Sequence, residues 1–152
     1  MKVEASDLAS GEAVDGNGWR ATAVQVPHVD PYLVTLAYRI DTDCGSVLFL
    51  CDAADCPELR QLAAGVDTLV TGLDMHNFKG SGADASHPIR GVSADISEVV
   101  DIANEADISR LVVIHCGHTR RDDVIARLRR GYDGNGYDGR LEYPDELTTI
   151  VL

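Results

Sequence analysis

The chain has 152 residues, of which 45% are hydrophobic, and this length suits one domain with a substantial core. No uninterrupted apolar stretch is long enough to cross a bilayer, and residues 1–7 lack a secretory pattern. The formal net charge of −12, from 25 acidic and 13 basic residues, disfavours unaided binding of nucleic acid because phosphate contacts need clustered cations. We therefore expect a single cytoplasmic domain over residues 1–152 that does not associate with membranes.

The first third of the chain predicts an antiparallel meander. A short edge strand fits within residues 3–14, and residues 19–28 and 34–41 are two runs rich in β-forming residues. The turn at residues 42–45 leads directly into residues 46–51, a continuous apolar run that is typical of a buried strand. No helical pattern separates these strands, so helices are expected only after Asp52.

The rest of the chain alternates helices and strands, with one long loop at residues 72–91. The second of the three predicted helices is expected to have Ser93 as its N-cap and Asp95 in its first turn. The predicted fold class is α/β (α+β), a mixed sheet flanked by helices. The predicted elements are helices at 57–64, from 93 onwards and at 119–131, and strands at 66–71, 111–114 and 148–152.

Four cysteines are present, and none of them forms a Cys-x-x-Cys pair. The spacing therefore predicts neither a zinc ribbon nor a redox motif. Cys51 and Cys116 lie in or beside apolar strands, so we expect both to be buried free thiols.

Three apolar runs end in a side chain that can bind a metal. Residues 22–28 end in His28, residues 46–52 end in Asp52, and residues 111–115 end in His115. Open α/β sheets place functional groups at the carboxyl ends of their strands, and a carboxylate with two imidazoles suits a metal site. Any one of these residues alone would more commonly be structural, so the prediction depends on the three together.

Four segments in this order resemble the second half of a metallo-β-lactamase-fold hydrolase, most closely the ribonuclease Z group. The segments are Val-Pro-His-Val-Asp-Pro-Tyr-Leu-Val-Thr-Leu-Ala-Tyr-Arg-Ile at 26–40, Leu-Phe-Leu-Cys-Asp-Ala-Ala-Asp at 48–55, Ser-His-Pro-Ile-Arg at 86–90 and Leu-Val-Val-Ile-His at 111–115. The resemblance implies half of an αββα sandwich. It also implies a site with two zinc ions, in which His28 binds one ion, Asp52 bridges both and His115 binds the other. His87 would assist proton transfer or contact the scissile phosphate.

The family's His-x-His-x-Asp-His motif, which supplies most of the metal ligands, is missing from this sequence. Each ion would therefore have only two ligands, Asp52 with either His28 or His115, where catalytic zinc has three or more. We expect weak metal binding by the isolated chain, and either a homodimer or a complementary chain that carries the missing half. A fragment of a longer enzyme, or a reduced fold that has lost catalysis, would also fit this ligand count.

Two functions remain open. The first is hydrolysis of a phosphodiester, in RNA or a cyclic nucleotide, by a zinc site that a partner completes. The second is a non-catalytic subunit that keeps the fold as a pairing surface. Metal content and hydrolysis in the partnered form distinguish them.

Overall fold

The computed structural model describes residues 5–29, 31–73, 93–116 and 121–151. These residues form seven strands and three helices, joined in a single mixed sheet. The elements are β1 Ala13–Gly16, β2 Trp19–Val26, β3 Thr35–Thr42, β4 Gly45–Cys51, α1 Pro57–Ala63, β5 Thr68–Thr71, α2 Ile96–Glu105, β6 Arg110–Val113, α3 Arg121–Arg130 and β7 Arg140–Glu142. The predicted mixed sheet flanked by helices is confirmed.

The strands follow one another across the sheet in chain order, from β1 at one edge to β7 at the other. Strands β1 to β4 pair antiparallel, as the predicted meander requires, and β4 to β7 pair parallel. Antiparallel neighbours need only a short turn, whereas parallel neighbours need a longer crossover. This difference explains why the helices begin only after β4.

The three helices lie on one face of the sheet. Each occurs in a crossover between neighbouring parallel strands, and successive right-handed crossovers in one direction place their helices on the same side. Apolar residues of α1, α2 and α3 form one buried cluster with one face of the central strands. Within the described residues the opposite face carries no helix, and none of the helices is long and apolar enough to span a membrane.

The N-cap predicted for the second helix is wrong. Helix α2 is capped by Asp95, whose side chain accepts a hydrogen bond from the Glu98 backbone N–H, while the Glu98 side chain accepts one from the Asp95 N–H. This reciprocal capping box satisfies two backbone donors at once. Ser93 has no Glu or Gln three residues later, so the helix starts after Asp95 instead.

The predicted terminal strand is also wrong. The last strand, β7, lies at Arg140–Glu142 and pairs parallel with β6, whereas residues 148–151 form no strand. The terminal segment is attached to the sheet by a side chain instead of by strand pairing, because the Arg110 side chain donates a hydrogen bond to the Val151 carbonyl at 2.6 Å. Two further predictions fall largely outside the described residues, namely the 72–91 loop and the start of the third helix at Thr119.

Candidate metal centre

All three predicted ligands follow strands that end at the same edge of the sheet. Strand β2 runs in the same direction as β4, because both pair antiparallel with β3, and β6 is parallel to β4 through β5. His28 follows β2, Asp52 follows β4 and His115 follows β6. One strand separates each donor from the next along the edge, β3 between His28 and Asp52 and β5 between Asp52 and His115. The loops must therefore bend towards one another before the side chains can meet.

Asp52 and His115 do meet. The Nε2 atom of His115 lies 3.3 Å from Oδ2 of Asp52, and the two side chains keep 73% and 37% of their surface exposed, respectively. Such a pair places a carboxylate and an imidazole, both ordinary zinc donors, where solvent or a substrate can reach them. The pair could therefore supply two of the ligands of a metal site, because both side chains are suitable donors and both are accessible.

His28 is half-buried, on a loop that is hydrogen-bonded to the Asp52 loop. The backbone N–H of Ala54 donates to the carbonyl of Pro27 at 2.9 Å. Among the described residues, however, no three His, Cys, Asp or Glu side chains are arranged to hold an ion together. The described residues therefore offer a two-donor pair, and His28 does not join it. His87, the predicted catalytic residue, lies outside the described residues.

The backbone at or next to each predicted ligand adopts a conformation that L-residues rarely take, as it also does at Asp107 and Leu147. The φ angle is 55° at Val29, 51° at Cys51 and 58° at His115, so each of these residues is a predicted ligand or is next to one. Such φ values are uncommon outside glycine and are most unusual for a β-branched residue. Strain of this kind concentrates at functional sites, where the surrounding structure holds it in place.

A valine pair tests this strain. Val29 and Val14 are both 38% exposed, but Val14 lies in extended strand β1. We expect Val29→Gly to raise the free energy of unfolding by about 0.5 kcal/mol, because relief of a left-handed conformation outweighs the added chain entropy. The matched Val14→Gly should lower it by about 1 kcal/mol. Urea unfolding measures both, and equal losses in the two variants would show that Val29 is not strained.

Backbone hydrogen bonds join the strand-end loops across β5. The N–H of Gly72 donates to the Cys51 carbonyl at 3.1 Å, and the N–H of Ile114 donates to the Thr71 carbonyl at 2.9 Å. These bonds fix the exits of β4, β5 and β6 relative to one another. The loops that carry Asp52 and His115 are thus held by the sheet itself.

Tyr143 provides a further anchor that the sequence did not indicate. Its buried hydroxyl donates to the carbonyl of Cys116, the residue after His115, and the Arg121 guanidinium lies over its ring at 5.5 Å. Cys116 also contacts the Leu73 carbonyl through its Sγ at 3.9 Å. Tyr143 follows β7 and has no sequence pattern that relates it to His115, so only the fold reveals this contact.

The two cysteines beside the pair differ in exposure. Cys116 is buried and free, as predicted, and burial raises the pKa of its thiol, with the Asp52 carboxylate adding to the rise. The prediction that Cys51 is buried is wrong, because this free cysteine is exposed. The register of β4 shifts between Phe49 and Cys51, and Cys51 has a positive φ of 51°, so the residue leaves the regular strand.

Comparison of the structure with solved proteins identifies the fold. The metallo-β-lactamase fold protein YhfI from Bacillus subtilis superposes with a TM-score of 0.66 at 16% identity, covering 90% of this chain and 51% of YhfI. Zn²⁺-bound PqqB from Methylobacterium extorquens superposes with a TM-score of 0.50 at 19% identity, covering 79% of this chain and 47% of PqqB. The chain has the metallo-β-lactamase fold, as predicted.

Within that fold, the predicted resemblance to ribonuclease Z is confirmed. The chain is 29% identical over 119 residues to a putative ribonuclease Z of Mycobacterium tuberculosis, covering 74% of this chain and 50% of that protein. No family model matches the chain. The chain spans about half the length of the curated relatives it matches, at 40% to 50%.

Proposed function

We propose that this chain is one part of a metal-dependent phosphodiesterase whose metal centre is built on Asp52, His115 and His28. The observation that carries the proposal is the contact between Asp52 and His115 at the carboxyl edge of the sheet. Supporting it are the ribonuclease Z resemblance and the positive φ of His115 and of Val29 and Cys51, which are next to the other two ligands.

Zinc is the proposed metal, with two ions in the completed site. Imidazole and carboxylate donors suit zinc, and the structural neighbour PqqB was solved with Zn²⁺ bound. In this arrangement His28 would hold one ion, His115 the other, and Asp52 would be shared between them. Bound zinc would supply a Lewis acid that polarises the phosphate and activates water. Each ion still needs ligands that the described residues do not supply, whether from another copy of this chain, from a complementary chain or from a longer protein of which this chain is a part.

The chain's own residues orient the site. The Asp52 carboxylate lies 3.3 Å from Nε2 of the His115 imidazole, and this contact would hold the two side chains together at the edge of the sheet. His87 is the proposed proton donor to the leaving oxygen, or a contact to the phosphate. Its role stays a prediction from the sequence.

The proposed substrate is a phosphodiester, in RNA or in a cyclic nucleotide. The net charge of −12 opposes unaided RNA binding, since phosphate contacts depend on clustered cations. Productive binding of an anionic substrate should therefore require the metal. We expect RNA affinity to be negligible in the metal-free protein and measurable only after zinc is loaded.

The experiment is metal loading followed by hydrolysis. Purified protein is stripped with a chelator, reloaded with zinc, analysed by elemental mass spectrometry, and assayed with bis(p-nitrophenyl) phosphate, a short RNA and a cyclic nucleotide. We expect zinc-dependent cleavage of at least one substrate, which the chelator abolishes and fresh zinc restores. The absence of zinc and of hydrolysis in every associated form of the protein would overturn the proposal.

The second candidate is a non-catalytic pairing subunit. It is favoured by the absence of a three-donor cluster among the described residues. Under this alternative, association with a partner persists while metal content stays near zero. The loading experiment therefore separates the two functions directly.

A further inference from the structure

Two tyrosines that flank β7 hold the two ends of strand β6. Tyr137 precedes β7, and its hydroxyl donates to the Ile108 carbonyl at 3.0 Å, just before β6 begins. Tyr143 follows β7, and its hydroxyl donates to the Cys116 carbonyl, beyond the point where β6 ends. Because β7 pairs parallel with β6, the two tyrosines reach opposite ends of the same strand. The end that Tyr143 holds lies beside a proposed metal ligand, His115.

The two tyrosines have closely similar surroundings. Both are buried, and the hydroxyl of each donates to a main-chain carbonyl. Helix α3 places one arginine near each ring. Arg121, the first residue of the helix, lies 5.5 Å from the centre of the Tyr143 ring, and Arg129, near its end, lies 6.0 Å from that of Tyr137. A difference between the tyrosines in their effect on the metal would therefore come from the strand end that each one holds.

The orientation of His115 depends on its neighbours in the chain. Its side chain is 73% exposed, so packing restrains the imidazole little. The residues on either side of it are fixed instead. The Ile114 N–H donates at 2.9 Å to the carbonyl of the last β5 residue, and the Cys116 carbonyl accepts from Tyr143. Between these two points His115 turns the chain with a φ of 58°. The direction of its Cα–Cβ bond, and with it the contact with Asp52, follows from the two hydrogen bonds.

Burial makes the hydrogen bond from Tyr143 hard to replace with one from water. Cys116 and Tyr143 are both buried, and the Sγ atom of Cys116 lies 3.9 Å from the Leu73 carbonyl oxygen. A buried carbonyl that loses its donor is left unsatisfied, and the chain relieves this cost by moving the carbonyl towards solvent. Such a movement turns the peptide next to His115. A misplacement of about 1 Å is enough to impair a site of this kind.

We propose that Tyr143 is a positioning residue of the metal centre, which holds His115 in the orientation that meets Asp52. This role rests on the proposed function, because the orientation of His115 affects chemistry only if its imidazole binds a metal. Groups outside the ligand set that hold a ligand in place change metal affinity roughly 10–100-fold. Since Tyr143 acts through the main chain of the next residue, its loss should cost about 10-fold, the lower end of that range. Tyr137, at the other end of β6, should contribute to stability alone.

The test compares Tyr143→Phe with Tyr137→Phe in the full chain of 152 residues. Each substitution removes one buried hydroxyl and keeps the ring, so both variants should fold, with similar shifts of the urea midpoint. Zinc affinity is measured by competition with a chromogenic chelator. We expect Tyr143→Phe to weaken zinc binding about 10-fold and Tyr137→Phe to leave it unchanged. Equal zinc affinities of the two variants would overturn the proposal, whether both are weakened or neither is.

A second measurement needs no metal. The imidazole signals of His115 in a ¹H–¹³C NMR spectrum of the zinc-free protein report its contact with Asp52, and Asp52→Asn shows where these signals lie when the contact is altered. We expect Tyr143→Phe to move the His115 signals towards their Asp52→Asn positions, and Tyr137→Phe to leave them in place. Unmoved His115 signals in Tyr143→Phe would contradict the proposal. A wild-type chain that binds no zinc would reject the proposed metal centre instead, and the NMR comparison would then decide whether Tyr143 orients His115.

Discussion

Asp52→Asn is expected to remove zinc and hydrolytic activity from the assembled protein while leaving the fold intact. Asparagine keeps the size of the side chain but loses the negative charge that lies 3.3 Å from His115. Loss of outer ligand partners alone costs metal sites roughly 10–100-fold, so loss of a bridging ligand should cost about 100-fold or more. Zinc content, zinc affinity and the rate of phosphodiester cleavage are the measurements.

The matched control is Asp43→Asn. Asp43 is an exposed acid in the turn between β3 and β4, at the opposite edge of the sheet from Asp52. The Asp43→Asn substitution removes the same charge from the protein without changing the proposed site, so zinc affinity should be unchanged. If both variants bind zinc and cleave substrate like the wild type, Asp52 is not a metal ligand, and the metal centre proposed on it is wrong.

The sequence predicted the elements whose signals are local. The run at residues 46–51 is apolar at nearly every position, which identified β4 as a strand, and it ends at Asp52. Hydrophobic pattern and turn residues likewise located β2, β3 and the strand before His115. The three donors each follow a predicted strand, and the direction of that strand decides at which edge of the sheet the donor lies. The pattern that located the strands therefore also accounts for the common edge.

Other features depend on distant parts of the chain. Strand β7 has three residues, of which only Leu141 is apolar, and it exists because β6 offers it a parallel neighbour. The contact of Tyr143 with Cys116 joins residues that are 27 positions apart. Neither has a periodic signal, because both are products of tertiary packing rather than of local preference. The sequence likewise gives no sign of the positive φ of Val29, because the β-branched valine side chain does not favour this conformation.

Gly72 has a structural role that the sequence did not indicate, because its position was predicted only as the start of the loop at residues 72–91. A methyl group at this position would lie 2.8 Å from Oδ1 of Asp52 and 3.3 Å from the Cys51 carbonyl oxygen. The first contact is shorter than real side chains tolerate, so the carboxylate would have to move. Glycine after β5 therefore provides the space in which Asp52 can face His115.

Gly72→Ala is accordingly expected to weaken zinc binding roughly 10–100-fold, although no ligand is changed, because the displaced carboxylate no longer points at the metal. Overpacking should also lower the free energy of unfolding by about 1–3 kcal/mol. A double-mutant cycle tests whether the clash with Asp52 causes the loss of stability. In an Asp52→Ala background the clashing oxygen is absent, so Gly72→Ala should cost clearly less stability than it does in the wild type. Equal costs in the two backgrounds, measured by urea unfolding, would show that Gly72 acts through the backbone alone and does not position Asp52.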